Sequence, residues 1–132
     1  MIRRSQTDSS ATLAWVYSEE NTASILEVLA RVADRGAWVP GLWKLEVGVR
    51  RGRHDAAFRE ATLTDLALLP INVDPEADRH AWSATLRLAE RHKLTLYDAA
   101  YLELAQRRGI PLATLDTELR QAASAEGMIV LG

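Results

Sequence analysis

An α/β fold is expected: a short parallel sheet with helices on both faces. Three observations predict it. Short apolar runs such as "AWVP", "LLPINV", "IPLAT" and "MIVL" punctuate the chain. Segments with apolar residues at helical spacing alternate with them, which is the pattern of strands wound through covering helices. Capping residues mark many of the junctions.

Taken in order, Ala11–Tyr17 reads as a short helix after the cap-forming Asp8-Ser9-Ser10. Asn21-Thr22 opens a second helix with the stripe Ile25, Leu26, Leu29 and Val32, and Gly36 closes it after Arg35. "AWVP" (Ala37–Pro40) is a strand. Helical spacing returns at Leu42, Leu45, Val47 and Val49, and "RRGRHD" interrupts it. Asp55 then caps a helix through Phe58, Leu63 and Leu66. Leu68–Val73 is a strand, and Pro70 predicts that it starts late or lies at an edge. "DPEA" reads as a helix start, with Asp74 as N-cap and Pro75 in the first turn, running through Trp82, Leu86 and Ala89. A further helix begins near Thr95 and ends at Gly109. Ile110–Thr114 is a strand, Thr117–Ala125 a helix and Met128–Leu131 a last strand.

The chain of 132 residues fits one domain, taken as residues 1–132. Its 48% hydrophobic and 26% charged residues are ordinary for a globular protein. A net charge of −2 gives no global basic field, so any nucleic acid must be met by a local patch. The absence of cysteine excludes disulfides, thiolate metal sites and cysteine catalysis. No run approaches the roughly 20 apolar residues of a membrane span. "MIRRSQTDSS" lacks the apolar centre of a signal peptide. A cytoplasmic protein without membrane contact is the expectation.

Four acids fall where strands are expected to stop or helices to begin: Asp8, Glu46, Asp98 and Asp116. In a parallel sheet these positions share one edge, the edge where ligands gather. Two carboxylates ~5 Å apart repel by roughly 3 kcal/mol at an effective dielectric of about 20. A converging group must therefore hold protons or a cation. Hard oxygen ligands suit Mg2+ or Mn2+, which stabilise charge on a phosphoryl oxygen and activate water. Each acid also has a plain structural reading. Asp98 completes a Thr-x-x-Asp capping box with Thr95, Asp8 and Asp116 cap the helices after them, and Glu46 is a solvated helix residue. Glu60, Glu90, Glu103 and Glu118 read as surface acids.

"DSSATLAW", "VPGLWKLEV", "LTLYDAAYLELAQRRGIPLATLD" and "GMIVL" resemble PIN-domain ribonucleases, above all VapC-type toxins of bacterial toxin–antitoxin pairs. The similarity runs in order along nearly the whole chain. It implies a three-layer PIN-like fold and a Mg2+- or Mn2+-dependent endoribonuclease, a homodimer controlled by a cognate antitoxin. It also implies catalytic and metal-binding roles for Asp8, Glu46, Asp98 and Asp116, with Ser10 and Thr114 as supporting hydrogen-bonders. Arg50, Arg51, Arg53 and Trp43 are candidates for RNA contact. Lys44, His54, Arg107, Arg108 and Trp15 are lesser ones, since single strands favour a positive track with aromatic platforms. The plain alternatives are a solvated corner and core tryptophans.

The chain departs from the family pattern twice. "IRRSQT", before Asp8, is too polar for a central parallel strand. The helix after "LEV" is about two turns short of its "RRGR" corner. These departures motivate a second reading, a PIN-fold binding module without catalysis. A third is a housekeeping RNA-processing nuclease. The histidines have no metal-like spacing, and no P-loop, GxGxxG or nucleophile elbow is present.

Overall fold

A computed structural model describes residues 11–14, 23–43 and 69–132. Five strands form one sheet in the order β3-β2-β1-β4-β5, where β1 is Ala11–Leu13, β2 Ala37–Val39, β3 Ile71–Val73, β4 Leu112–Ala113 and β5 Val130–Leu131. Every pairing is parallel. The described helices are α1 (Ala23–Arg35), a 3-10 turn at Ala77–His80, α2 (Ala84–His92), α3 (Leu96–Arg108) and α4 (Thr117–Ala125). The expected α/β architecture is the one observed. Crossovers between parallel strands are right-handed. The step from β1 to β2 therefore puts α1 on one face, and the steps that lead to β4 and β5 put α2, α3 and α4 on the other.

The centre of the sheet corrects the first element. Ala11–Leu13 is a strand, not the start of a helix, and all three residues are buried. The central slot needs residues that tolerate apolar surroundings on both faces. Ala-Thr-Leu meets that need and the basic, polar "IRRSQT" does not. Asp8 precedes Ala11, the first residue of β1, in the sequence, and lies outside the described residues.

Other junctions behave as expected. Gly36 ends α1 at φ 86° and Gly109 ends α3 at φ 67°, the left-handed region that glycine enters without strain. β3 begins just after Pro70 and is an edge strand, where a missing N–H costs no ladder bond. The expected helices at Leu42–Val49 and Asp55–Leu66 lie almost entirely outside the described residues.

The segment after β3 is a second correction. Asp74 is not an N-cap, and the chain breaks into the 3-10 turn and α2 instead of one long helix. Asp74 has another use. Its side chain is fully buried and held by Arg107 Nη2 at 2.7 Å and Arg108 Nη2 at 2.8 Å, both from the last turn of α3. Burial alone would raise the Asp74 pKa, but the bonds from the two arginines outweigh it and hold the carboxyl below its ordinary value. Arg107 also reaches Glu103 at 2.6 Å, and these bonds lift its pKa well above the ordinary value despite burial. Arg108 stacks its guanidinium 3.5 Å from the Trp38 ring centre. Glu103 is therefore a buried structural acid, only 3% exposed, not a surface one. Arg107 and Arg108 are occupied in the same network and leave the group of RNA candidates. Trp82, expected on the apolar stripe of its helix, is 88% exposed at the turn before α2.

The core joins Leu13, Val39 and Leu112 of the sheet to Val28 and Val32 of α1, Leu88 of α2, Leu102 of α3, and Leu119 and Ala123 of α4. Burial of Ala99 through Ala105 in α3 is continuous. That explains why this helix shows little amphipathic contrast. Among the described residues, no helix is long and apolar enough to cross a membrane.

Candidate active site at the carboxyl ends of the central strands

The order in which strands are added reverses at β1. From there the chain steps to β2 on one side, while β4 and β5 lie on the other. Doubly wound sheets open a crevice at such a switch point, beyond the carboxyl ends of the two strands that flank it. Here those strands are β1 and β4. The N–H of Ala14 donates to the carbonyl of Ala113 at 2.8 Å, so the chain leaves β1 directly beside the corner that follows β4.

That corner is Thr114-Leu115-Asp116, and its geometry is fixed from three sides. The Thr114 hydroxyl, buried at 1% exposure, accepts the N–H of Asp116 at 3.1 Å. One oxygen of the Asp116 carboxylate accepts the N–H of Leu119 at 2.9 Å, which caps α4. From α4, Arg120 Nη1 donates to the Thr114 carbonyl at 3.0 Å and to that of Gly132 at 3.2 Å. The cap expected at Asp116 is present, and the Thr114 hydroxyl closes the turn that leads into it. No sequence signal marks Arg120. An arginine four residues after a cap is commonplace, and its targets are carbonyls that only folding brings near.

Asp98 sits in the first turn of α3, half-buried. Its N–H donates to the Thr95 hydroxyl at 3.0 Å, with Thr95 as the N-cap. A three-residue connection leads from the end of α3 into β4, and α3 packs on β1 and β4. A helix in that position runs back against the parallel strands, which turns its first turn toward their carboxyl ends. Topology thus orients the Asp98 turn toward the edge that carries Asp116. A carboxylate that caps a helix keeps further lone pairs for another ligand, so capping and metal binding do not exclude each other at Asp116.

The remaining sequence candidates divide cleanly. Asp8, Ser10, Glu46, Arg50, Arg51 and Arg53, with Trp15, Lys44 and His54, lie outside the described residues. Trp43 is 7% exposed and belongs to the core. Its ring offers no open face for a base, and the core reading replaces the stacking one. Among the described residues, no group of three or more acids and histidines is placed to hold a metal. Carboxylates at Asp98 and Asp116 do have the donor chemistry that Mg2+ or Mn2+ takes, and in this respect the residues fit such an ion.

Comparison with known proteins gives two findings. A family model described as the PIN domain matches residues 7–125. A solved structure, the crystal structure of PAE2754 from Pyrobaculum aerophilum, is similar with a TM-score of 0.56 at 25% identity, covering 92% of this chain and 91% of that one. A search of curated proteins returned no match.

Proposed function

Because the chain belongs to the PIN-domain family, whose members are in general nucleases that act on RNA, we propose that it is a Mg2+- or Mn2+-dependent endoribonuclease and the VapC-type toxin of a toxin–antitoxin pair. One observation carries the reading: the Asp116 corner follows the very strand that flanks the switch point, and α3 turns Asp98 toward the same edge. Asp8 and Glu46 would complete the acidic group. Both fall within the span that the family model matches. A divalent ion bound there supplies charge stabilisation at the phosphoryl oxygens and acidifies water.

The residues of the chain do the remaining work. Asp98 and Asp116 hold the ion and fix its position. Thr114 and Arg120 keep the Asp116 corner from moving, through the bonds to its N–H and its carbonyls. Arg50, Arg51 and Arg53 are proposed to meet RNA phosphates, since the described arginines of α3 are engaged with Asp74 and Glu103. The proposed setting is the cytoplasm, with a homodimer and a cognate antitoxin as partners.

The direct test is cleavage of single-stranded RNA with and without Mn2+, alongside the melting temperature in both conditions. The expected result is Mn2+-dependent cleavage and a metal-induced rise in melting temperature, both lost in Asp98→Ala. Wild-type cleavage by Asp98→Ala would sink the proposal.

A second reading rests on a specific observation. The stretch before Asp8, "IRRSQT", is too polar for the central parallel strand that the family places there. A PIN fold that binds an antitoxin or a second copy without cutting RNA accounts for this. Absence of any metal response in both measurements would favour it. Growth arrest on induction, relieved by a cognate antitoxin, separates a toxin from a housekeeping nuclease.

A further inference from the structure

The corner between α2 and α3 carries two exposed side chains that the fold does not use. Lys93 ends α2 with φ 55°, in the left-handed region where glycine or asparagine is usual. Gly36 and Gly109 hold that position after α1 and α3. A lysine there is strained, and its side chain returns nothing to the fold: among the described residues it makes no hydrogen bond and no ion pair, with Glu90 one turn back or with any other acid. Tyr97, in the first turn of α3, is 63% exposed, and its hydroxyl likewise has no partner among the described residues. Burial of α3 begins at Ala99, so Tyr97 stands beyond the packed part of the helix.

Both residues belong to the acid edge. The first turn of α3 is oriented toward the carboxyl ends of the central strands, and Lys93 lies only three residues before Leu96, where that helix begins. Tyr97 directly precedes Asp98. At the other acid, Leu115 directly precedes Asp116 and is 44% exposed. Each of the two acids thus has an exposed apolar neighbour. Carboxylates repel a phosphate chain, so a strand that reaches them has to be held by groups beside them: a cation for its phosphates and a flat apolar surface for its bases. Two arginines of the neighbouring helices are engaged elsewhere, Arg91 with Glu126 and Arg120 with the carbonyls of Thr114 and Gly132. Lys93 is not.

We infer that this corner is a docking edge for single-stranded RNA: the Tyr97 ring stacks on a base, and Lys93 meets an adjoining phosphate. A tyrosine face accepts any base, and a lysine meets a phosphate as a point charge on a flexible stem. The corner therefore holds RNA beside the acids without choosing its sequence. The inference deepens the nuclease reading and rests on it for what is cut, but not for what is bound.

Fluorescence anisotropy of a labelled single-stranded RNA of mixed sequence, titrated with the full chain in EDTA, tests the corner while no metal-dependent cleavage takes place. Tyr97→Ala should weaken binding about tenfold, the scale of one lost stacked base, and Tyr97→Trp should restore it. Lys93→Gly should weaken binding less and flatten the slope of log affinity against log salt by about 0.7, the share of one phosphate contact in a single strand. Its melting temperature should hold or rise, because glycine fits φ 55° without strain. A lysine with a merely structural role would show the reverse, a lower melting temperature and an unchanged salt slope. Wild-type affinity in Tyr97→Ala together with a wild-type salt slope in Lys93→Gly overturns the inference, as does a wild type that binds no RNA. With Mn2+ added, both variants should raise KM and keep kcat. A wild type that binds RNA through this corner but never cuts it retains the inference and removes the nuclease reading. Cleavage with unchanged KM in both variants does the opposite.

Discussion

The two ends of α3 place carboxylates in opposite surroundings. At its last turn, Asp74 and Glu103 are buried and each is met by arginine, with contacts of 2.6 to 2.8 Å. Near its first turn, Asp98 and Asp116 are half-buried and exposed respectively, and both stand in helix starts. The first pair holds the fold together, because a buried acid must be neutralised where it lies. The second pair keeps solvent access, which the proposed metal site would require. Charge alone does not mark an acid as structural; burial with a fixed cation does.

The largest expected effect tests the acid end. Asp98→Ala should lower RNA cleavage about a hundredfold or more, the scale of losing one charge-stabilising group, with little change in melting temperature. Asp74→Ala should do the reverse. It leaves two arginines without their shared partner and should cost about 3 kcal/mol, as for a broken buried ion pair, measured by urea unfolding. Loss of cleavage without loss of stability in Asp74→Ala would break the contrast between the two ends.

A smaller effect sharpens it at one residue. Asp116→Ser retains a good N-cap, while Asp116→Ala loses it, so unfolding should differ by about 1 kcal/mol between the two. Both should lose cleavage. A serine variant that still cuts RNA would confine Asp116 to capping.

A last effect concerns pH. Bonds from His92 and then Arg91 hold the Glu126 pKa at about 2, against an ordinary 4.5. A carboxylate depressed in the folded state adds stability above its unfolded pKa and loses it as pH falls. The urea midpoint should therefore drop between pH 4.5 and 2, and Glu126→Gln should flatten that part of the profile. Asp74, also depressed, contributes to the same acid limb, so the difference between variant and wild type is the quantity to read.

Much of the architecture was legible because local signals and folding agreed. Thr95 and Asp116 cap their helices, Gly36 and Gly109 end theirs, and Pro70 precedes an edge strand. Each of these depends on a few neighbouring residues and their backbone preferences. Ala11–Leu13 reads as helix in the sequence because a three-residue run has no period to distinguish the two states. Its place at the centre of the sheet was decided by which segment could be buried on both faces.

What the chain determined by itself was the alternation of strand and helix, the caps, and the kinds of side chain able to hold a divalent ion. What only the tertiary structure decided was which charges meet. Asp74 finds Arg107 and Arg108 across more than thirty positions, Arg120 finds the carbonyls of Thr114 and Gly132, and Trp43 goes inside. The physical reason is range: caps and periodicity act over a turn or two of helix, whereas burial and charge pairing act between surfaces that come together only when the sheet closes.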